Sequence, residues 1–344
     1  MMKQKNFKEI YDAIYSRCGQ TMEEKRKKAL TKTILAIVIA IILWVVTVST
    51  LGMLFVIIFV ISVFILSIII YTINKNYKKS FKSQIINEIV EQSNPSLDYH
   101  YNMGISSREY AESNFDWGWD RYSSEDLIDG ELEDGSFLKM AQVHTEEKHE
   151  STDSDGHRTT SYLTTFFGLY GVIKLKTSTN ADFMIKNNSK LSKFNKRRIE
   201  MESSEFEKYY DVYTGSKESA IRQNTMEILT PETIEQFVKI RNMFKKTITV
   251  RVFKDKIYFR IDVGDIFEAP TFKSSVNFKM LYKYFLIIDV PRMIYEAMID
   301  NIIIMYGNSE ERENRTIANM TDSQKQDYIE EKKKSEESTY FSHN

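Results

Sequence analysis

The alternation of polar and apolar positions divides the chain into five unlike stretches. The most informative is the run from Thr33 to Asn74, which contains no charged side chain. As one helix of about forty residues it would be roughly 60 Å long, twice the hydrocarbon thickness of a bilayer, about 30 Å. Two helices of about 18 to 20 residues fit instead. Small polar residues and a glycine cluster at Val48-Ser49-Thr50-Leu51-Gly52, and Gly52 can take the backbone angles of a tight reversal. The pattern therefore predicts a transmembrane helical hairpin over 33–74, with spans near 34–48 and 53–71. A cleaved signal peptide would carry its apolar core within the first thirty residues, which are polar here. A channel or transporter would place ionisable groups inside the spans. Ser62 and Ser67 read as helix-packing residues.

The flanks orient the hairpin. Lys25, Arg26, Lys27, Lys28 and Lys32 precede the first span, Lys75, Lys78, Lys79 and Lys82 follow the second, and the turn has no charge. The positive-inside rule then places both termini in the cytoplasm of a multi-pass cell-membrane protein. Residues 1–32 predict an amphipathic helix, with Phe7, Ile10, Tyr11, Ile14, Tyr15 and Cys18 on one face. Residues 75–93 predict a juxtamembrane helix, with Tyr77, Phe81, Ile85, Ile86, Ile89 and Val90 repeating the stripe. The two are expected to pack on each other or on the following domain as a stalk; the alternative for the first is a helix lying in the headgroups.

Residues 94–307 mix both periodicities and predict an α+β cytoplasmic domain with an antiparallel or mixed sheet. Tyr99–Met103 reads as a short strand, and Ser106 as the cap of a short helix. Asp126–Glu131 and Ser136–His144 read as a hairpin turned at Glu133-Asp134-Gly135. Leu163–Leu175 is apolar on both faces, as a central strand would be, and Phe183–Ile185 is a weaker strand. A helix should follow Thr230 with Pro231 in its first turn. Thr247–Phe253 and Ile257–Val263 alternate with period two around Lys254-Asp255-Lys256. Helices are expected at Phe278–Ile288 and Pro291–Tyr306. The polar, charged stretch 308–344 predicts a disordered tail, with a transient helix around Ser323–Lys334.

The hairpin, Asp126-Leu127-Ile128-Asp129-Gly130, Thr165-Phe166-Phe167-Gly168-Leu169-Tyr170, and Glu205-Phe206-Glu207-Lys208-Tyr209-Tyr210-Asp211-Val212-Tyr213 occur in a recognisable order. With Ile228-Leu229-Thr230-Pro231 and Ile266-Phe267-Glu268, this order resembles a bacterial family, domain of unknown function 3137. The resemblance covers roughly Tyr77 to Pro270. It implies a two-span membrane protein with a soluble domain, and it implies no reaction and no functional residues. The richness in Ile, Lys and Asn agrees with an AT-rich bacterial genome.

Composition narrows the function. A formal net charge of −1 gives no global field for nucleic acid, and one cysteine excludes an internal disulfide framework. No P-loop, GxGxxG, HExxH, CxxC, GxSxG or kinase signature is present, and no cofactor is expected. His144, His149 and His157 lie in the acidic segment HTEEKHESTDSDGH. Imidazole with carboxylate can hold a divalent ion, but the spacing matches no compact motif and the segment reads as an exposed hairpin loop. Trp117 and Trp119 would share one face of a strand, as a partner-binding pair or, favoured here, as buried packing. Lys186, Lys190, Lys193, Lys196, Arg197 and Arg198 form a basic run around Phe194, either a lipid contact or a solvated loop. Glu202, Glu205, Glu207 and Asp211 are clustered carboxylates without a catalytic companion. The reading is a membrane-anchored, non-enzymatic interaction or regulatory module, whose partners are the lipid bilayer and an unknown protein. The alternative is a membrane-proximal enzyme of unrecognised class.

Overall fold

The computed structural model of the chain describes residues 7–51, 54–132, 134–152, 157–189, 195–321, 323–325 and 328. Two long helical rods open it. The first is α1 (Phe7–Ile14), a π turn (Tyr15–Gly19) and α2 (Gln20–Leu51). The second is α3 (Leu54–Phe81), a π turn (Lys82–Ile86) and α4 (Asn87–Ser93). They run antiparallel: the Trp44 indole N–H donates to Ser62 Oγ at 2.5 Å, and Arg17 pairs with Glu88 at 2.9 Å. Ser62 thus joins the two helices, as its packing role anticipated.

Each rod has two unlike halves. Near the hairpin the apolar side chains are uncovered: Ile42 is 58% and Phe64 68% exposed. By length and composition each rod is able to cross a membrane. Away from the hairpin the same helices enter the core, where Ile10, Ile14, Phe81, Ile85, Ile86 and Ile89 are buried. Phe7 packs its ring on Phe278 and Phe285 at 4.8 and 5.3 Å, so the first helix lies on the domain. Tyr15, expected on the buried face, is exposed; the π turn that begins there takes it off the 3.6-residue stripe.

The domain is α+β, built on one antiparallel sheet of nine strands among the described residues, in the order β1-β2-β3-β4-β9-β8-β5-β7-β6. These are β1 (Leu97–His100), β2 (Arg121–Glu131), β3 (Phe137–Thr152), β4 (Arg158–Lys174), β5 (Asp182–Asn187), β6 (Arg198–Ile199), β7 (Tyr210–Thr214), β8 (Ile248–Phe253) and β9 (Lys256–Ile261). Side chains alternate between faces. Ile128, Met140, Ile173, Val250 and Phe259 meet the helical core, whereas Leu127, Ala141, Val143, Tyr170 and Tyr258 face the other way. The first face carries α4, α8 (Pro231–Phe244, capped by Thr230) and α9 (Phe278–Tyr306). The second is covered by α5 (Ser107–Glu112), which Ser106 and Glu109 close with a capping box. Two short helices, α6 (Ser204–Glu207) and α7 (Ser219–Ile228), connect the later strands.

Several expectations are corrected. From His144 to Thr152 the segment is strand and no loop: β3 and β4 stay paired out to Thr152–Arg158. From Glu147 to Thr152 it forms a ribbon exposed on both faces, so no apolar alternation marks it, although its threonines suit strands. Strand β2 begins at Arg121, five residues ahead of the expected start. Helix α9 continues through Pro291. The lost N–H and the ring clash cost roughly 3 kcal/mol, against full burial of Ile287, Val290, Ile294 and Met298 on the same helix. Finally, α10 (Ser309–Asn319) stands where the composition predicts disorder. An Asn308–Glu311 capping box, an Arg315–Asp300 ion pair and a Thr177–Glu311 hydrogen bond hold it. Most of Ser323–Lys334 lies outside the described residues.

Candidate functional site at the helix–sheet junction

A cluster of buried charge lies where the second rod meets the sheet. Lys82 opens the π turn directly after α3. Its Nζ lies 2.5 Å from Asp126 Oδ2 and 3.5 Å from Glu125 Oε1, with the lysine side chain only 13% exposed. Tyr99, on β1, donates its hydroxyl to Asp126 Oδ1 at 2.5 Å. Asp126 reaches both partners because β2 bulges there. Glu125 pairs with Gln142 and Ile128 with Met140, so Asp126 and Leu127 together oppose Ala141. At φ 60° Asp126 occupies the left-handed region, which Asp tolerates better than most residues. Gln142 completes the frame: its amide donates to Glu125, and its Oε1 accepts the Ile266 N–H.

Burial sets the electrostatics. The Asp126 carboxyl is pushed up to about 6 by desolvation, with Glu125 adding to the rise and Lys82 and Tyr99 opposing it. The Tyr99 phenol is driven far up by burial and then by the Asp126 charge. Asp265, on the loop after β9, is also raised by burial. Perturbed carboxylates mark functional candidates, but here the Asp126 side chain is fully buried and already paired. None of the three cavities flanking α9 is lined by Lys82, Tyr99 or Asp126. The arrangement couples a helix to a sheet.

The cavity of about 100 Å³ between α9 and the β2–β3 turn is lined by Leu97, Leu138, Ile288, Asp134, Arg292 and Tyr295, among others. Its charged groups are already paired, whereas Ser93 Oγ is buried without a hydrogen-bond partner. Tyr295 donates to Asp134, Arg292 is held by Asp289 at 2.6 Å and by Glu296 at 2.5 Å, and Arg315 by Asp300.

The residues singled out from sequence are dispersed. His144 lies beside Thr164, with Nε2 and Oγ1 3.0 Å apart, and against the Phe167 ring. His149 sits farther out opposite Ser161, and His157 lies just before Arg158 at the ribbon end. Among the described residues, no group of three or more His, Cys, Asp or Glu could hold a metal ion. Trp117 and Trp119 sit in a loop, not on a strand. Trp119 packs on Tyr110 and Tyr122 at 5.2 and 5.7 Å, whereas Trp117 is 108% exposed, contrary to the burial favoured above. Lys190 and Lys193 lie outside the described residues. Lys196 and Arg197 are exposed. Arg198 is not a surface contact: its side chain is 8% exposed and binds the fully buried Asp211 at 2.8 Å and Glu207 at 3.0 Å. Two of the clustered carboxylates therefore neutralise an internal arginine.

The sequence marks Lys82 as an orienting charge and Asp126 as the start of a strand and of a segment carrying the resemblance, but not as partners. The available signal was an acidic residue beside Leu127-Ile128 in a segment bound for the core. Comparison with curated proteins and with solved structures returns no match. One family model matches residues 164–298, from β4 into α9; the helical hairpin and Asp126–Gly130 lie outside the match and the other resembling segments inside it. Over this stretch the chain belongs to the family described as Protein of unknown function (DUF3137).

Proposed function

We propose that the chain is a membrane-anchored interaction or regulatory module, holding its sheet domain at the cytoplasmic face in fixed relation to the bilayer. One observation carries this reading: the apolar hairpin and the domain core are built from the same two helical rods. Along α3 the chain passes from Phe64, 68% exposed, to Phe81, fully buried, without a break. Such a surface of uncovered Ile, Val and Phe is far larger than a soluble monomer tolerates, and bilayer lipid is its natural solvent. The lysines that flank both spans and spare the turn support cytoplasmic termini. The internal pairing of the polar clusters supports binding rather than catalysis, with the bilayer and a protein as partners. Alkaline carbonate extraction of expressing membranes tests the anchor: the protein should stay in the pellet until detergent is added. Release without detergent would overturn the proposal.

A further inference from the structure

The cavity of about 100 Å³ between α9 and the β2–β3 turn has two unlike walls. Leu97, Leu138, Ile288 and Pro291 line it with apolar groups, while Ser93 and Asn94, where α4 and the second rod end, present polar ones. Ser93 Oγ is buried and has no hydrogen-bond partner. Asn94 is 7% exposed; its Oδ1 accepts the Ser96 N–H at 3.0 Å, and its Nδ2 donates to no acceptor among the described residues. Buried polar groups are nearly always bonded, and one left unsatisfied costs more than a typical hydrogen bond gains. Two such groups, adjacent in sequence and lining one cavity, fit an oxygen atom from outside the chain.

The remaining polar groups set the charge of the guest. Arg292 is held between Asp289 and Glu296, Arg315 by Asp300, and Asp134 accepts from the Ser136 and Tyr295 hydroxyls. An ion would enter without a free counter-charge, at a high desolvation cost, whereas an uncharged molecule would not meet that cost. The volume sets the size. An apolar cavity of about 150 Å³ admits benzene, so this one suits a single small ring or a short branched chain. One water would satisfy Ser93 and Asn94 but would leave the apolar wall uncovered, and an apolar body covers it. Asp134 and Arg315 also line the cavity of about 400 Å³ beneath α10, so the two adjoin. Helix α10 has no buried residue, and the larger cavity gives the smaller an approach beside it.

We propose that this cavity binds a small uncharged molecule with an apolar body and one hydroxyl or carbonyl oxygen. The oxygen bonds Ser93 and Asn94, and the body lies against Leu97, Leu138 and Ile288. Such a ligand fastens the end of the second rod to α9 and the sheet, separately from the bilayer and protein contacts proposed above. The full chain, methyl-labelled on Ile and Leu and held in detergent micelles, is dialysed against phenol, which fixes the free concentration whatever the micelles absorb. A molecule of this size binds with Kd on the order of 1 mM, within reach of a titration to about 10 mM. Methyl signals of Leu97, Leu138 and Ile288 should shift and saturate, while Ile199, on the edge strand β6, stays still. Fluorobenzene, similar in shape but without the hydroxyl, should also bind, and benzoate should not. S93A should weaken phenol about fivefold, the value of one hydrogen bond, and leave fluorobenzene unchanged. L132F, which sets a ring into the cavity from the turn after β2, should abolish both. Phenol bound equally by S93A and the parent, or benzoate bound more tightly than phenol, would overturn the proposal. So would the absence of saturable shifts at the three lining residues, the result expected if water alone fills the site. If the thermal melt shows L132F unfolded, the S93A comparison decides alone.

Discussion

Replacing Lys82 by methionine tests the junction between rod and sheet. The substitution keeps the length and apolar stem of the side chain but removes the ammonium 2.5 Å from Asp126. Asp126 is 0% exposed, so its carboxylate would lose its counter-charge and retain only the Tyr99 hydroxyl among its side-chain partners. Removing one member of a buried pair costs about 3–5 kcal/mol. For a domain of this size that lowers Tm by on the order of 10 °C. The penalty should depend on pH. The Asp126 carboxyl is pushed up to about 6, so at pH 5 it is mostly neutral and K82M should cost only about 1 kcal/mol, near the value of one hydrogen bond. In K82M/D126N both charges are gone, and replacing a whole buried pair is close to neutral, so the double variant should recover most of the loss at pH 7.5. Thermal unfolding of the full chain in detergent micelles, at both pH values, measures all three. A penalty below about 1 kcal/mol at pH 7.5 would refute the coupling, because a buried carboxylate stripped of its partner costs more than that. So would an equal penalty at both pH values, or a double variant as unstable as K82M.

Four further outcomes follow from the same structure. Asp126 binds its proton more tightly folded than unfolded, so its contribution to stability is fully present below about pH 4 and is lost as pH rises through about 6. The difference between the wild type and D126N should therefore change by about 3 kcal/mol across that window, as read from denaturant titrations. R198M strips the buried Asp211 of its partner and should lose about 3 kcal/mol or more, while R197M at the exposed neighbour should stay within about 0.5 kcal/mol; equal effects would return Arg198 to the surface. G168A would press a methyl group onto the Ile261 carbonyl oxygen and crowd Val263 N, destabilising the β4–β9 pairing by about 1–3 kcal/mol in a thermal melt. R315M removes the ion pair to Asp300 and leaves it only the Asn319 amide, loosening α10, so amide exchange over Ser309–Asn319 should accelerate while the sheet stays protected.

The elements legible from sequence are those whose own residues specify them. The uncharged run, the stripe from Tyr77 to Val90, the Thr230–Pro231 helix start and the alternation across β8 and β9 each carry a complete local signal. The misses share a different cause. The β3–β4 ribbon has no buried face, so strand pairing left no hydrophobic trace. Pro291 announces a helix end locally, and only the burial of residues on both sides of it keeps α9 continuous. Helix α10 is polar, and its hold on Asp300 and Thr177 is tertiary. At the junction, Lys82 and Asp126 lie 44 residues apart, and neither residue's neighbours reveal the other. Arg198 sat in a run of cations, but β6 places it against Asp211 on β7.

The central claim is that two rods cross the bilayer and return, holding the sheet domain on the side where the chain begins. Site-specific labelling in intact cells tests it most directly. In a C18S background, single cysteines at Ser49 and at Ser216 are challenged with a membrane-impermeant maleimide. The account predicts that S49C reacts from outside and that S216C reacts only after the cells are opened. Labelling of S216C from outside would contradict it.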